Sequence, residues 1–498
     1  MAYSSFSEFL SALERAGELR RIAVPVATEL EITELADREM KAPGGGKALL
    51  FEKPTMHGAV SPFPLAINTM GSHRRMAMAL GLGSIQELAD EMQLILKAKP
   101  PTSLRHAWTL AMQGLDLLKA KPKQVRDGPC KEVVRLFDPA GPPGATGEPQ
   151  SLPTLLDLPI QQCWPKDGGR FITFPCVHTR DPDSGERNVG MYRMQIHDTR
   201  SCGMHWQVHK VGARHGRRYY ERNEPMPVAV TIGGDPAYTF AATAPLPDGL
   251  DEILFAGFIR RKSVELVKCE TIDLEVPADA DFVLEGYVQP GELRPEGPFG
   301  DHTGFYTPVD PYPVFHLTAI THRRDAAYPC TIVGIPPMED FYMGGASVRI
   351  FLPVFKMNFP EIVDMALPAE GVFHNLVFVS IRKQYAWQAY KIMHGLWGMG
   401  QMMFSKYIVV VDDDCDVHNT SEVLFRLCAN TDPQRDSTFI KNPTDALDHA
   451  QTVATMGSHM GIDATRKLPS EGCTREWPEL LKMDAAVKAK VDELLRNR

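Results

Sequence analysis

The stretch C-V-H-T-R-D-P-D-S-G-E-R-N-V-G-M-Y-R-M-Q-I-H, residues 176–197, predicts two β-strands joined by a turn. Its centre, D-P-D-S-G-E, is rich in residues that favour turns, and apolar and polar residues alternate on both sides of it. Short runs of the same kind recur through residues 128–330, including M-H-W-Q-V-H (204–209), with one helix among them at about 248–258. Many short strands with few helices favour a barrel-like β domain.

The two flanking segments mix helical and strand patterns. Before the β domain we expect an amphipathic helix over 4–17, a strand over 19–26, and mostly helix over 71–120. After it we expect a buried strand L-V-F-V-S-I, a helix over 385–403, a strand Y-I-V-V-V, and a terminal amphipathic helix that packs on a partner subunit. The predicted fold is a multidomain α+β / α/β protein, with an N-terminal α/β domain (1–127), a central β domain (128–330) and a C-terminal α/β domain (331–498).

Composition narrows the class of protein. The formal net charge is −9, from 53 basic and 62 acidic residues, which disfavours a nucleic-acid binder. The basic cluster Arg214 to Arg218 is predicted to lie at a strand end or turn. The first residues do not resemble a secretory signal, no uncharged run reaches the ~18 residues of a membrane helix, and nine scattered cysteines form no C-x-x-C pair. These features predict a cytoplasmic location.

The stretch E-G-P-F-G-D-H-T-G-F-Y, residues 296–306, holds two carboxylates in a loop stiffened by glycine and proline. Arg193 stands in the middle of an apolar strand, where an unpaired charge would be costly, so it requires an acidic partner. Glu296 and Asp301 are the candidates. Two carboxylates sharing one cation can differ in protonation, which suits proton transfer. The alternative is a tight turn whose acids only accept backbone N–H bonds.

Other motifs carry weaker signals. His205, Gln207 and His209 alternate onto one face of the predicted strand, and histidines at i and i+4 of a strand lie ~13 Å apart, so at most one of the two binds a given metal. Asp412, Asp413 and Asp414 follow a buried strand, where capping or solvation is a better interpretation than a metal site. The glycine-rich runs at 44–48 and 139–149 lack the G-K-S/T of a phosphate-binding loop and are interpreted as surface turns.

Taken together, several ordered segments resemble one family. They are E-G-P-F-G-D-H-T-G-F-Y, N-V-G-M-Y-R, D-E-I-L-F-A-G, L-E-V-P-A, E-L-R-R-I-A-V-P-V, L-E-I-T-E-L-A-D-R, F-P-E-I-V-D, Y-I-V-V-V-D-D-D and M-G-I-D-A-T-R-K. These segments occur in this order along nearly the whole chain. In this combination, the sequence resembles the UbiD family of prenylated-FMN-dependent decarboxylases. The resemblance implies that the central domain is a split β-barrel, similar to flavin reductases, that binds the cofactor.

The resemblance also implies roles for individual residues. The catalytic set falls on Glu296, Arg193 and Asp301, with Asp301 as the proton donor. The divalent-metal ligands fall on Asn188, His209 and Glu252, for Mn²⁺ or Mg²⁺, and K⁺ is expected nearby. The cofactor-binding positions are Met191, Tyr192, Arg193, His205, Trp206, Gln207 and Lys210. The chain departs from the quinone-pathway pattern at His205–Gln207, where that pattern has R-W-L, and at Lys210, where it has Arg, so a lysine is expected to hold the cofactor phosphate.

The implied reaction is the reversible, non-oxidative decarboxylation of an aromatic acid in quinone biosynthesis, converting 3-polyprenyl-4-hydroxybenzoate to 2-polyprenylphenol. A 1,4-dihydroxy-6-naphthoate of menaquinone synthesis is an alternative substrate. A non-catalytic prenylated-flavin carrier and a flavin reductase are rivals from other classes. Implied partners are a flavin prenyltransferase, the membrane surface for a prenylated substrate, and further copies of the chain as a dimer or hexamer. Met338, Phe341, Tyr342 and Met343 are expected to cover the substrate or to pack a domain interface.

Overall fold

The computed structural model describes residues 2–97, 119–137, 154–207, 210–247 and 249–496. Part of the helical region predicted over 71–120, the glycine-rich loop at 139–149 and His209 therefore lie outside the described residues. The α-helices of the described part are Phe6–Arg15, Glu31–Met40, His73–Ala79, Ile85–Leu96, Val211–Glu221, Pro236–Ala241, Glu252–Arg260, Glu339–Asn358, Gln388–Trp397, Thr420–Asn430 and Ala485–Arg496.

The first helix, Phe6–Arg15, shows how the predicted pattern becomes structure. Its N-cap Ser5 accepts a hydrogen bond from the backbone N–H of Glu8, which replaces one missing bond of the first turn. Its apolar residues recur at helical spacing and all are buried, namely Phe6, Phe9, Leu10 and Leu13. The helix leads into a four-stranded sheet in the order Leu19–Ile22, Ala48–Phe51, Leu65–Ile67 and Tyr328–Pro329. A second sheet of three short strands lies beside it, formed by Val26–Ala27, Pro54–Met56 and Ala59–Val60.

The central part is built on an antiparallel sheet of seven strands. Its main path runs through Arg187–Gly190, Cys176–Arg180, Met226–Ile232, Phe282–Glu296, Asp310–His322 and Ser201–Gly203, and Val133–Leu136 also pairs with Asp310–His322. The predicted hairpin is present, because Cys176–Arg180 pairs antiparallel with Arg187–Gly190. Small sheets complete this part, formed by Phe171–Ile172 with Met194–Gln195, by Phe299–Gly300 with Tyr306–Thr307, and by Lys123–Gln124, Glu265–Lys268 and Glu275–Pro277.

The C-terminal part is a mixed five-stranded sheet with helices packed against it. The strand order is Ile362–Ala366, Leu376–Ile381, Tyr407–Asp412, Met456–Asp463 and Ser437–Pro443. The predicted strands L-V-F-V-S-I and Y-I-V-V-V pair in parallel at its centre and are almost fully buried. The mixed α/β architecture agrees with the prediction. The split-barrel form of the central domain and the three domain boundaries remain predictions.

Several predicted elements are wrong in detail. The strand expected over 19–26 is interrupted after Ile22, and the helix expected over 385–403 is an α-helix, Gln388–Trp397, followed by a 3₁₀ helix, Gly400–Phe404. The strand Arg187–Gly190 ends before residues 191–193, so the alternation of faces does not continue to Arg193. Residues 204–207 form no strand, so His205 and Gln207 do not share a strand face as predicted.

The basic cluster Arg214–Arg218 lies in the helix Val211–Glu221, not at a strand end or turn as predicted. Arg218 of this cluster pairs with Asp181 in the turn of the hairpin, and Arg222, which follows the helix, pairs with Asp183 there. None of the helices in the described ranges is both long enough and apolar enough to cross a membrane.

Candidate functional site

The loop that carries the two acids is fixed from several sides. Glu296 is the last residue of the long strand Phe282–Glu296, and Asp301 follows the short strand Phe299–Gly300. The backbone N–H of Gly297 donates to Gln195 Oε1 at 2.8 Å, and that of Gly300 donates to Asp167 Oδ1 at 2.8 Å. These bonds hold the loop against residues 163–170 and 194–195, so both carboxylates have defined positions.

Arg193 connects the two carboxylates. Its Nε donates to Glu296 Oε1 at 2.9 Å and its Nη1 bonds Asp301 Oδ2. The guanidinium lies over the ring of Phe299, 4.5 Å from the centroid. Glu296 is fully buried and Asp301 nearly so. The pairing of Arg193 with both acids, predicted from the cost of a buried unpaired charge, is therefore present.

The electrostatics of the loop favour ionised acids. Burial raises the pKa of Glu296, but hydrogen bonding from His205 and the charge of Arg193 outweigh burial and leave the pKa below its usual value. Burial also raises the pKa of Asp301, but Arg193 and His302 both stabilise its carboxylate and leave the pKa far below its usual value. The contacts with Arg193 and His302 therefore favour the carboxylate form of Asp301.

Among the buried polar atoms of this region that have no hydrogen-bond partner within the described residues, three belong to the acid loop and to the predicted flavin-binding segment. They are Glu296 Oε2, His205 Nε2 and Trp206 Nε1. Unpartnered buried polar groups are costly and usually mark a missing ligand or water. Two of the three belong to residues predicted to bind the flavin, so these residues fit a polar, planar cofactor beside Glu296.

Lys210 fits the role of holding a phosphate. It is the N-cap residue of the helix Val211–Glu221, whose first N–H groups favour an anion. Burial lowers the pKa of Lys210, and the negative charge of Asp445 partly opposes that effect. No ion pair to Lys210 occurs within the described ranges. The Tyr192 hydroxyl accepts the N–H of Gly212 in the first turn, and Gln207 O accepts the N–H of Lys210 at 3.0 Å. Met191 packs against an adjacent apolar cluster.

One predicted metal ligand, Glu252, contacts the backbone next to another, Asn188. Glu252 begins the helix Glu252–Arg260, and its Oε2 accepts the backbone N–H of Val189, the residue after Asn188, at 2.9 Å. Burial raises the pKa of Glu252 to about 7, and the negative charges of Asp251 and Glu186 add to the rise, so the carboxylate would be stabilised by a positive charge. A divalent cation would supply that charge, so Glu252 fits a metal site. His209 lies outside the described residues.

The sequence interpretation missed a cluster beyond Asp301. His302 Nδ1 lies 2.8 Å from Asp301 Oδ1, and His302 Nε2 lies 2.8 Å from His374 Nε2. His374 and Asp445 come from the C-terminal part, and Asp340 from the start of the helix Glu339–Asn358. Only the adjacency of His302 to Asp301 signalled this cluster, since the other members are distant in sequence.

The structure can be compared with two further predictions, those for the acidic run at 412–414 and for the substrate wall. Asp412 and Asp414 pair with Arg466, and Asp414 also pairs with Arg426, so arginines neutralise these acids, whereas capping or solvation was predicted. The predicted substrate wall is mostly packed into the interior, because Met338 and Met343 belong to two different apolar cores. These residues therefore pack in the interior, and their contact with the substrate remains a prediction.

Comparisons with known proteins identify the class. Models of the 3-octaprenyl-4-hydroxybenzoate carboxy-lyase N-terminal, Rift-related and C-terminal domains match residues 10–92, 142–336 and 341–464. An uncharacterized protein of Archaeoglobus fulgidus is 47% identical over 500 residues, covering 99% of this chain and 98% of its own length. The fold and these matches define a carboxy-lyase. The chain belongs to the UbiD family.

Solved structures agree over the whole length. Vanillic acid decarboxylase of Sedimentibacter hydroxybenzoicus in its closed form is 27% identical, with a TM-score of 0.84 and coverage of 99% of both chains. Its open form gives a lower TM-score of 0.78, with full coverage of both chains. An evolved dimeric form of the UbiD-class enzyme HmfF from Pelotomaculum thermopropionicum, solved with prenylated FMN, is 26% identical, with a TM-score of 0.78 and coverage of 99% and 100%.

Proposed function

We propose that this chain decarboxylates an aromatic carboxylic acid, reversibly and without net oxidation, using prenylated FMN. The observation that carries the proposal is the buried Glu296–Arg193–Asp301 cluster, which lies beside unpartnered polar atoms of His205 and Trp206. A carrier protein would need the flavin contacts but no proton donor. The presence of both sets of groups in one place supports an enzyme.

The division of labour follows from the chemistry of the reaction. Loss of CO₂ from an aromatic ring leaves electrons that no amino-acid side chain can accept, and the modified flavin supplies that electron sink when bound. The protein binds and orients the acid, keeps water out, and returns a proton to the ring carbon. Asp301 is proposed as the group that delivers this proton, while Glu296 stays ionised beside Arg193 and His205.

Substrate binding offers a way to protonate Asp301. A bound carboxylate brings a negative charge close to the acid pair, and a like charge raises a carboxyl pKa. It would therefore oppose the stabilisation of the Asp301 carboxylate by Arg193.

We propose Lys210 and the N-terminus of its helix as the phosphate site. Asn188, His209 and Glu252 are proposed ligands of Mn²⁺ or Mg²⁺, and K⁺ is proposed nearby. A flavin prenyltransferase would supply the cofactor. The nine cysteines are all free thiols, which supports the proposed cytoplasmic location.

A homo-oligomer is proposed from the C-terminal helix. The helix Ala485–Arg496 has no buried residue in the single chain. It and the residues before it expose apolar side chains, including Leu481, Met483, Leu494 and Leu495. A second copy would cover them. Light scattering of the full chain and of a chain ending at residue 478 tests this, and an unchanged oligomer in the shortened chain would contradict it.

The proposed substrate is a 3-polyprenyl-4-hydroxybenzoate, because the three matched domain models carry that description. A polyprenylated substrate also implies contact with a membrane surface, where such a molecule would reside. A 1,4-dihydroxy-6-naphthoate is the alternative within the class. Vanillate is a further candidate because a vanillic acid decarboxylase shares the fold over the whole chain.

The test is CO₂ release under anaerobic conditions by protein produced with a flavin prenyltransferase and supplied with Mn²⁺ and K⁺. Each of the three acids is offered separately, with FMN-loaded protein as the control. Release that requires prenylated FMN would support the proposal, and the acid that turns over would identify the substrate. Bleaching of the flavin by NADH, without CO₂ release from any acid, would instead support a flavin reductase.

A further inference from the structure

His302 connects the proposed proton donor to a second region of the chain. Its Nδ1 lies 2.8 Å from Asp301 Oδ1, and its Nε2 lies 2.8 Å from Nε2 of His374, 72 residues away. The His302 side chain is only 12% exposed, so bulk water has little access to it. The unbroken contact from Asp301 through His302 to His374 is available to hold or move a proton.

The two short contacts restrict where the protons are. Nitrogen atoms of two imidazoles 2.8 Å apart must share one proton, because two lone pairs or two N–H groups would repel each other. The other nitrogen of His302 faces the carboxylate of Asp301 and therefore carries a proton as well. Either His302 is doubly protonated and donates to His374, or His374 donates to a neutral His302.

The surrounding charges select the first arrangement. The charged groups that act on His302 are the carboxylates of Asp301, Asp340 and Asp445, and with the hydrogen bond to Asp301 they raise its pKa despite burial. The pKa of His374 shifts in the opposite direction. Burial is the larger cause and the charge of His302 the next, and together they lower this pKa to about 4. Of the two rings, His302 is therefore the one that holds the shared proton more readily, and it donates to His374.

A metal ion is a competing interpretation of the same residues. His302, His374 and Asp445 each offer a ligand atom within 4.8 Å of the others. Two nitrogen ligands on a tetrahedral ion, with bonds of about 2.0 Å, would lie about 3.3 Å apart. The observed 2.8 Å is shorter and falls in the range of a hydrogen bond. The geometry therefore favours a shared proton over a shared metal.

Resting on the function proposed above, we propose that His302 stores the proton that Asp301 delivers to the substrate, and that the contact with His374 shields it from water. Decarboxylation consumes one proton for each CO₂ released. His302 Nδ1–H passes its proton to Asp301 Oδ1, and the Asp301 carboxyl passes it to the ring carbon that has lost CO₂. The neutral His302 then takes a new proton from solvent before the next turnover.

This arrangement resolves a conflict within the site. Arg193 holds Asp301 as a carboxylate, so the donor needs a nearby source of protons when the substrate arrives. His302 is that source, and it acts on the substrate only through Asp301. Because its stored proton is lost at high pH, the rate should fall as the pH rises through the pKa of His302.

The experiment compares His302→Asn, His374→Phe and His449→Asn in enzyme loaded with prenylated FMN. Asn at position 302 can still donate an N–H to Asp301 but cannot release a proton. His449, whose ring lies 4.0 Å from that of Phe305, is a control histidine near the same loop. Single-turnover CO₂ release is followed from pH 6 to 9 in H₂O and D₂O, and flavin loading is measured by absorbance.

We expect His302→Asn to slow single turnover about 100-fold, with normal flavin loading, a larger solvent isotope effect and no loss of rate at high pH. His374→Phe should shift the pH at which the rate falls at the alkaline end of the pH–rate profile. His449→Asn should stay within about twofold of the wild-type rate. In ¹⁵N-histidine NMR of the wild-type protein, both ring nitrogens of His302 should be protonated at pH 7.

Three results would overturn the inference. They are a wild-type rate and pH profile in His302→Asn, a neutral His302 ring at pH 7, and one equivalent of tightly bound metal that is lost in His374→Phe. If the wild-type enzyme releases no CO₂ from any acid, the proposed function fails, and the NMR result still decides the state of His302. If Asp301→Asn is inactive while His302→Asn is active, only this inference fails.

Discussion

Arg193 Nε lies 2.9 Å from Glu296 Oε1, although the two residues are 103 positions apart in the chain. The bond joins the loop after the strand Arg187–Gly190 to the end of the strand Phe282–Glu296. It is made in the interior, where Glu296 is fully buried and Arg193 is 10% exposed. The remaining acid, Asp301, completes the cluster from the opposite side of the guanidinium.

Asp301→Asn should abolish CO₂ release while leaving flavin and metal in place. The amide has nearly the same shape but cannot donate a proton as an acid, and loss of a general acid typically costs about 10²–10⁴ in rate. CO₂ release and flavin absorbance would be measured on the same sample. Full activity with normal loading would remove Asp301 from the reaction.

Lys210→Gln should weaken flavin binding. The lysine is a largely buried cation at a helix N-terminus, and loss of a charged hydrogen bond costs about 1.5–3 kcal/mol, or roughly 10- to 100-fold in affinity. Titration with FMN, followed by quenching of flavin fluorescence, measures the change. Lys262→Gln is the matched control. Equal affinity in both variants would place the phosphate elsewhere.

Glu252→Gln should reduce Mn²⁺ affinity by at least about tenfold. The variant keeps an oxygen that can accept the N–H of Val189 but lacks the negative charge that a hard cation requires. Electron paramagnetic resonance of free Mn²⁺ measures binding directly, with Glu265→Gln, an exposed glutamate, as control. Unchanged binding in Glu252→Gln would exclude this carboxylate as a ligand.

Arg193→Gln should destabilise the protein by about 3 kcal/mol, because it leaves two buried carboxylates without their cation. Arg349→Gln is the comparison, since the Arg349–Asp364 pair is about one quarter exposed and should contribute less than about 1 kcal/mol. Urea unfolding of both variants measures the difference. Equal losses of stability would show that the buried cluster has no special energetic role.

Glu339 should make stability depend on pH. Burial raises its pKa from 4.5 to about 7, although its oxygens accept the N–H of Met70 at 2.6 Å and the hydroxyl of Thr331 at 2.8 Å. Between these values the folded protein binds a proton that the unfolded chain does not, so stability falls as the pH rises from about 4.5 to 7.

In Glu339→Gln that contribution to the pH dependence should disappear. Unfolding free energies of the wild type and the variant would be compared at intervals from pH 5 to 8. Their difference should change steadily up to about pH 7 and then become constant. A difference that does not vary with pH would show that Glu339 is ionised throughout this range.

The sequence by itself determined the local elements and the class. Alternation over 176–190 and the spacing of Phe6, Phe9, Leu10 and Leu13 report directly which face is buried, because one period belongs to strands and the other to helices. The ordered motifs indicated the family, and the cost of burying Arg193 pointed to Glu296 and Asp301 before any contact was known.

Only the tertiary structure decided which distant groups meet. The contacts of His302 with His374, and the approach of Asp340 and Asp445, join residues from separate parts of the chain. No local period or spacing records such a contact, since it depends on how separate elements pack. The same limit explains the errors at residues 191–193 and 204–207, where contacts within the site, and not local strand propensity, determine the backbone.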